Sequence, residues 1–265
     1  MPEPLRADRA LARAGLARSR TEAAALIRGG RALADGAPIR RPSQQVSAQA
    51  RLSLTDDAPR YVSRAAHKLV SALEAFPVAV AGRRALDAGA STGGFTQVLL
   101  ERGAASVAAV DVGHDQLAPA VRHDRRVLVR EGLNVRALTL EDIDGPVDLV
   151  VSDLSFISLR LVVGPLAGVC TPGADLLLMV KPQFEVGRAA LPRTGVVTDP
   201  HARREAVAAV AAEAAAHGLT ARGVARSGLP GQDGNVEFFL HLRADGAAGP
   251  GPVEAPPGMD EVLWS

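Results

Sequence analysis

The run Leu86-Asp87-Ala88-Gly89-Ala90-Ser91-Thr92-Gly93-Gly94-Phe95, with Asp111 twenty-two positions beyond Gly89, holds residue types suited to binding an adenosine. Glycines let backbone N–H groups approach a ligand, and the N-terminus of a following helix carries partial positive charge. A carboxylate about 20 residues on, at the tip of the next strand, is placed to accept both ribose hydroxyls. The loop lacks the G-x-G-x-x-G of dinucleotide sites. S-adenosylmethionine is therefore the expected cofactor rather than NAD.

Four further residues could act on what that cofactor carries. Asp153 follows the apolar run 147–152. Lys181 follows the apolar run 176–180 and precedes Pro182. Glu237 is expected inside a last strand over 235–242, and Lys68 on a helix over 68–76. Singly, each has an ordinary reading: a solvated helix residue for Lys68, a helix cap for Asp153, an edge-strand charge for Glu237. Lys181 resists such a reading, because a lysine at the tip of a buried strand faces the ligand cleft. Together, two amines and two carboxylates suit methyl transfer to a ribose hydroxyl. That hydroxyl is a weak nucleophile and needs a base. A lysine serves only after losing its proton; burial and a neighbouring sulfonium favour the loss, while the carboxylates oppose it and orient both lysines. In-line placement of methyl and oxygen is expected to supply most of the rate. Enzymes that methylate planar base amines commonly carry an Asp/Asn-Pro-Pro-Tyr/Phe run at this place. Here it reads Ser152-Asp153-Leu154-Ser155-Phe156, which disfavours a base amine.

These residues need a sheet. From residue 85 onward apolar strands and helices alternate, with strands expected over 85–88, 106–110, 127–130, 147–152 and 174–180 and helices over 96–102, 116–121 and 159–169. Such alternation implies an α/β, Rossmann-like, mostly parallel sheet covered on both faces. A long helix over 201–217, capped by Asp199-Pro200, leads to two final strands, 220–226 and 235–242, which predict an antiparallel edge. Ahead of this lies a small α+β unit: a helix over 5–14, a capping box Ser19-Arg20-Thr21-Glu22 opening a second helix, a hairpin around Asp35-Gly36 and a strand over 51–55. The expected organisation is a front domain over 1–59, a linker over 60–66, a catalytic domain over 67–245 and a mobile Gly/Pro/Ala-rich tail over 246–265, with Trp264 at a frayed end.

Charge divides along the same line. Residues 1–70 hold 13 Lys and Arg against 6 Asp and Glu, a balance of +7; the remainder holds 17 against 23, or −6. That asymmetry predicts a polyanion-binding front end bearing Arg6, Arg13, Arg18, Arg20, Arg28, Arg31, Arg40 and Arg41. One cysteine, Cys170, allows neither a disulfide framework nor a cysteine metal site, so a reducing cytoplasmic setting and no metal are expected. No signal-peptide pattern and no spanning apolar run is present, so no membrane partner is expected; the chain is read as a monomer.

At this point the chain resembles a known family. Ser63-Arg64-Ala65-Ala66-His67-Lys68-Leu69, the loop 87–96, Asp111-Val112-Gly113, Asn134-Val135-Arg136, Asp153-Leu154-Ser155-Phe156-Ile157-Ser158, Lys181-Pro182-Gln183-Phe184-Glu185-Val186-Gly187 and Gly231-Gln232-Asp233-Gly234-Asn235-Val236-Glu237 are similar to the TlyA family. That family, named for haemolysin, is understood as rRNA 2′-O-methyltransferases. It joins an FtsJ-like domain to an RNA-binding domain like that of ribosomal small-subunit protein four. The resemblance implies a catalytic set of Lys68, Asp153, Lys181 and Glu237, with Lys181 as the central base. It implies S-adenosyl-L-methionine at Gly89, Gly93 and Asp111, with neighbouring Asp87, Ser91, Thr92, Gly94, Phe95, Val112 and Asn134. It implies cytidine ribose in 16S and/or 23S rRNA of ribosomal subunits as target, and resistance to cyclic peptide antibiotics such as capreomycin when the enzyme is lost. Two departures stand out: Arg6-Ala7-Asp8 replaces the usual Arg-Leu-Asp, and Ala65 replaces a common glycine. The linker Arg60-Tyr61-Val62-Ser63 leads directly to Lys68, which suggests that it couples RNA docking to completion of the cofactor pocket. The alternatives are a ribosome-binding assembly factor with an inert methyltransferase domain, and a membrane-active haemolysin.

Overall fold

A computed structural model describes residues 4–55, 61–187, 190–231, 234–245 and 255–265. The chain divides into two compact units, Met1–Ala66 and His67–Ser265.

In the first unit, β1 (Leu5–Arg6) leads into α1 (Ala7–Arg13), and α2 (Arg20–Arg28) follows. Four short strands complete it: β2 (Ala32–Ala34), β3 (Ala37–Pro38), β4 (Gln45–Val46) and β5 (Leu52–Leu54). β1 pairs antiparallel with β4, and β2 lies between β3 and β5. Leu11, Ile27 and Ile39 fill its core, and the departing Ala7 is completely buried among them. The Ser19 hydroxyl caps α2 by accepting the Glu22 N–H at 3.1 Å. Glu22 does not reach back to Ser19, as a capping box requires. Its carboxylate takes the Arg18 N–H at 2.6 Å and the Arg18 guanidinium, because an ion pair outweighs a neutral cap.

Helix α3 (Ala66–Ala75) begins at the last residue of the first unit and leads into the second, which builds β6 (Arg84–Ala88), α4 (Gly94–Glu101), β7 (Ser106–Asp111), α5 (Pro119–Arg122), β8 (Val127–Glu131), β9 (Val147–Ser152), α6 (Val163–Gly168) and β10 (Cys170–Val180). It closes with α7 (Pro182–Glu185), α8 (Pro200–Ala216), β11 (Leu219–Arg226) and β12 (Phe238–Ala244). The seven strands lie in the order β11-β12-β10-β9-β6-β7-β8. From β10 to β8 all pairs are parallel, while β12 runs antiparallel to both neighbours. The reversed strand therefore stands one in from the edge, and β11 forms the edge. Residues 174–180 of β10 are buried throughout, as a strand covered on both faces must be.

The tail over 255–265 is not frayed. Trp264 packs its ring 4.6 Å from that of Phe238, and its Nε1 donates to the Met259 carbonyl. Arg203 and Arg226 donate to the carbonyls of Trp264 and Ser265. An apolar ring and two guanidiniums thus outweigh the entropy of a free end. Residues 246–254 lie outside the described residues.

Candidate active site

The sheet's first strand, β6, lies beside β7 on one side and β9 on the other, so the chain reverses its direction of growth between β6 and β9. Ligands of open α/β sheets sit beyond the strand C-termini at such a switch point. Ala88 and Ser152 are paired there, and Ser152 is level with Leu178 of β10. Gly89, Asp153 and Lys181 follow these strands directly. Glu237 lies just before β12, rather than within it. Because β12 is reversed, Phe238 pairs with Val180, and its start meets the ends of the parallel strands. The reversal is what brings Glu237 to Lys181.

Lys68, Asp153, Lys181 and Glu237 form one cluster. Lys68 Nζ lies 2.5 Å from Glu237 Oε2 and 3.7 Å from Asp153 Oδ2. Lys181 Nζ lies 2.6 Å from Asp153 Oδ1 and donates to Ser155 Oγ at 2.9 Å. Asp153 stands between the two lysines. The lysine side chains are 8% exposed and that of Glu237 3%. Two amines and two carboxylates balance in formal charge, and each is paired, as burial of such groups demands. Gly231 lets the loop before Glu237 lie on its carboxylate: a Cβ there would come within 2.6 Å of Oε1.

Beside the cluster, the loop 89–93 turns into α4. Gly89 has φ +91°, and a Cβ on it would stand 3.1 Å from the Asp153 carbonyl. Gly93, φ +93°, is the N-cap of α4. Asp111 Oδ2 accepts the Ser91 N–H at 2.8 Å and Oδ1 accepts the Gly113 N–H at 2.7 Å, so its carboxylate is oriented and keeps further lone pairs. Val112 beside it is 68% exposed. The Thr92 carbonyl accepts the Ala118 N–H. Asn134 caps a short 3₁₀ turn by accepting the Arg136 N–H, in a loop bonded to Asp111 and Gly113 through Leu133 and Gly132. A glycine turn, a helix N-terminus, an oriented carboxylate and an exposed apolar side chain fit an adenosylated cofactor.

Two motif residues do not face that site. Asp87 is completely buried and accepts from Thr96 Oγ1 at 2.7 Å, while its other oxygen has no hydrogen-bond partner. Burial pushes its carboxyl up to about 7, against the pull of the Thr96 bond. Asp87 is thus an internal support for the strand-to-helix turn. The Phe95 ring is likewise core, stacked on Phe239 at 6.2 Å, leaving only its backbone for a ligand.

Sequence reasoning missed three residues at this rim. Phe156 is 93% exposed, has φ +64° and lies 5.4 Å, ring to ring, from Phe184. A bulky side chain in the left-handed region is strained, and such strain clusters at functional sites. Glu185, buried, accepts from Ser158 Oγ at 2.5 Å and the Leu159 N–H at 2.7 Å, clamping the loop after Asp153 to the helix after Lys181. Ser155 bonds Lys181 directly. The available signal was an aromatic beside Asp153 in a chain with 3% aromatics.

Of the arginines expected to hold RNA, Arg6 and Arg20 pair with buried Asp8, lowering its carboxyl to about 2, and Arg18 pairs with Glu22. The Nε of Arg31 is buried. Arg13, Arg28, Arg40 and Arg41 are exposed, with no ion pair among the described residues. Tyr61–Ser63 run irregularly into α3, where the Ser63 carbonyl accepts the Ala66 N–H; Arg60 lies outside the described residues. Among the described residues no cluster of His, Cys, Asp and Glu is placed to hold a metal, and no helix is long and apolar enough to cross a membrane.

Fold and site together define an S-adenosylmethionine-dependent methyltransferase. The FtsJ-like methyltransferase family matches residues 61–244, and the S4 domain matches residues 5–52. The 16S/23S rRNA (cytidine-2′-O)-methyltransferase TlyA of Mycobacterium tuberculosis is 55% identical over 244 residues, 92% of this chain and 91% of that protein. The 23S rRNA (cytidine-2′-O)-methyltransferase TlyA of Campylobacter jejuni is 34% identical over 68% of this chain and 70% of its own. A hemolysin-named protein of Streptococcus thermophilus, 34% identical, superimposes with a TM-score of 0.75 over 98% of this chain and 94% of that one. The chain belongs to the TlyA family of FtsJ-like methyltransferases.

Proposed function

We propose that this enzyme transfers a methyl group to the ribose 2′-OH of cytidine in ribosomal RNA, with Lys181 as base. The observation that carries this reading is the buried, charge-balanced cluster in which Asp153 stands between Lys68 and Lys181. S-adenosylmethionine, when bound, supplies a methyl group made electrophilic by its sulfonium. Gly89 and Gly93 let the loop approach it closely, the first turn of α4 offers it backbone N–H groups, Asp111 its ribose acceptor, and Val112 an apolar face. Lys181 takes the proton of the 2′-OH. Asp153 orients Lys181, and Lys68, held by Glu237, supplies a fixed positive charge beside the reacting oxygen. Phe156 offers a face on which the unstacked target base rests. The exposed arginines Arg13, Arg28, Arg40 and Arg41 supply the phosphate contacts of the S4 domain. A charge-balanced lysine–carboxylate cluster is what a hydroxyl requires and a base amine does not, which supports ribose over base as target.

The test is incubation with methyl-labelled cofactor and separated ribosomal subunits. The wild type labels RNA and Lys181→Ala loses about 10²–10⁴-fold in rate, the usual worth of a positioned base. Equal labelling by both would refute Lys181 as base. The subunit labelled distinguishes 16S from 23S targets.

A further inference from the structure

With both lysines protonated, Lys68, Asp153, Lys181 and Glu237 sum to zero. A sulfonium bound beside them adds one positive charge in a buried site, and the departure of one proton restores neutrality. A base at Lys181 requires that same proton to leave. Lys181 itself is nearly closed to water. Among the described residues its Nζ has two partners: Asp153, shared with Lys68 inside the cluster, and the hydroxyl of Ser155 at 2.9 Å. Ser155 is exposed to solvent. The residue bonded to the buried amine through its hydroxyl is therefore one that the solvent reaches.

We propose that Ser155 is the proton outlet of Lys181. The Lys181 ammonium gives a proton to Ser155 Oγ as the hydroxyl passes its own proton to water; one N–H bond breaks, one O–H bond forms, and the serine is regenerated. Asp153 is the poorer exit, because protonating it would remove the negative charge that holds two ammoniums together. Glu185 supports the outlet as a positioning residue. Its bonds to Ser158 and Leu159 fix the loop that carries Ser155, and so keep the hydroxyl on Nζ. The inference rests on the reading of Lys181 as base, but its test does not require turnover.

The experiment compares the full-length wild type, Ser155→Ala and Ser155→Thr, with lysines labelled at Nζ. Hydrogen exchange of the Lys181 ammonium, assigned by its loss in Lys181→Ala, is read by NMR. Proton release on binding S-adenosylmethionine is read by calorimetry in buffers of different ionisation enthalpy. Exchange in Ser155→Ala is expected to slow at least tenfold, with Ser155→Thr close to wild type. About one proton is released by all three proteins, since an outlet changes the rate and not the equilibrium. Unchanged exchange in Ser155→Ala, or no proton release by the wild type, overturns the proposal. An altered proton count in Ser155→Ala also overturns it, by assigning Ser155 a merely structural role. Failure of the methyltransferase reading would appear elsewhere, as unlabelled RNA with Ser155-dependent exchange intact.

Discussion

At the residue scale, the site is a meeting of two lysines and two carboxylates drawn from distant parts of the chain. Lys68, Asp153, Lys181 and Glu237 are separated by 169 positions yet meet in one cluster, because each stands at a strand end or on the helix above it. Asp87 and Phe95 belong to the same motif as Gly89 and face the core. For Asp87, period-2 alternation cannot reveal this, because its strand is buried on both faces. Asp87 has a testable consequence. Its carboxyl titrates near 7 when folded and near 3.8 when unfolded. Between those values the unfolded chain gives up a proton that the folded chain keeps, so stability falls as pH rises from about 4 to about 7 and then levels. Asp87→Asn should flatten that fall, measured by denaturant unfolding across the range; an unchanged slope would assign the fall to other groups. Phe156, whose backbone strain no composition could announce, has a different signature. Phe156→Ala should lower kcat/KM for ribosomal RNA by about 10- to 100-fold, the worth of one base stacked on an aromatic ring, while cofactor affinity stays unchanged.

At the element scale, the reversed strand β12 does most to build the site. The sequence predicts two closing strands and an antiparallel partner, yet hides that the antiparallel one lies inside the edge, because pairing order depends on where α8 returns the chain. Glu237 reads as a strand residue from its neighbours Val236 and Phe238; the turn that releases it is held by the Ser227 N–H donating to its carbonyl and by the Asn235 carbonyl accepting from Gly231. Gly231 makes that turn specific. In Gly231→Ala the added carbon presses on Glu237 Oε1, so the carboxylate that holds Lys68 through Oε2 must shift. Loss of about 10-fold or more in methylation rate, with thermal stability changed little, is the expected outcome of paired activity and unfolding measurements. Full activity would show that Lys68 does not depend on its carboxylate partner. The C-terminal segment teaches the converse lesson: Gly, Pro and Ala composition predicted motion throughout, but one aromatic ring and two arginines suffice to dock 255–265.

At the scale of the whole molecule, function follows from a division of charge between two units. The front unit carries the positive excess, and part of it is spent internally, on Asp8 and Glu22. On the proposed reading, the arginines left exposed, Arg13, Arg28, Arg40 and Arg41, are the ones to bind phosphates. Binding to ribosomal subunits should weaken steeply with salt, and reversing Arg40 and Arg41 to Glu should flatten the slope of log K against log salt by roughly 1 for each lost phosphate contact. A slope identical to wild type would move RNA recognition elsewhere on the molecule. The account as a whole is tested most directly by nucleoside analysis of ribosomal RNA methylated by the purified protein. Ribose-methylated cytidine from the wild type, formed about 10²–10⁴-fold more slowly by Lys181→Ala, is the predicted result; a methyl group on a base, or ribose methylation at the wild-type rate without the lysine, would contradict it.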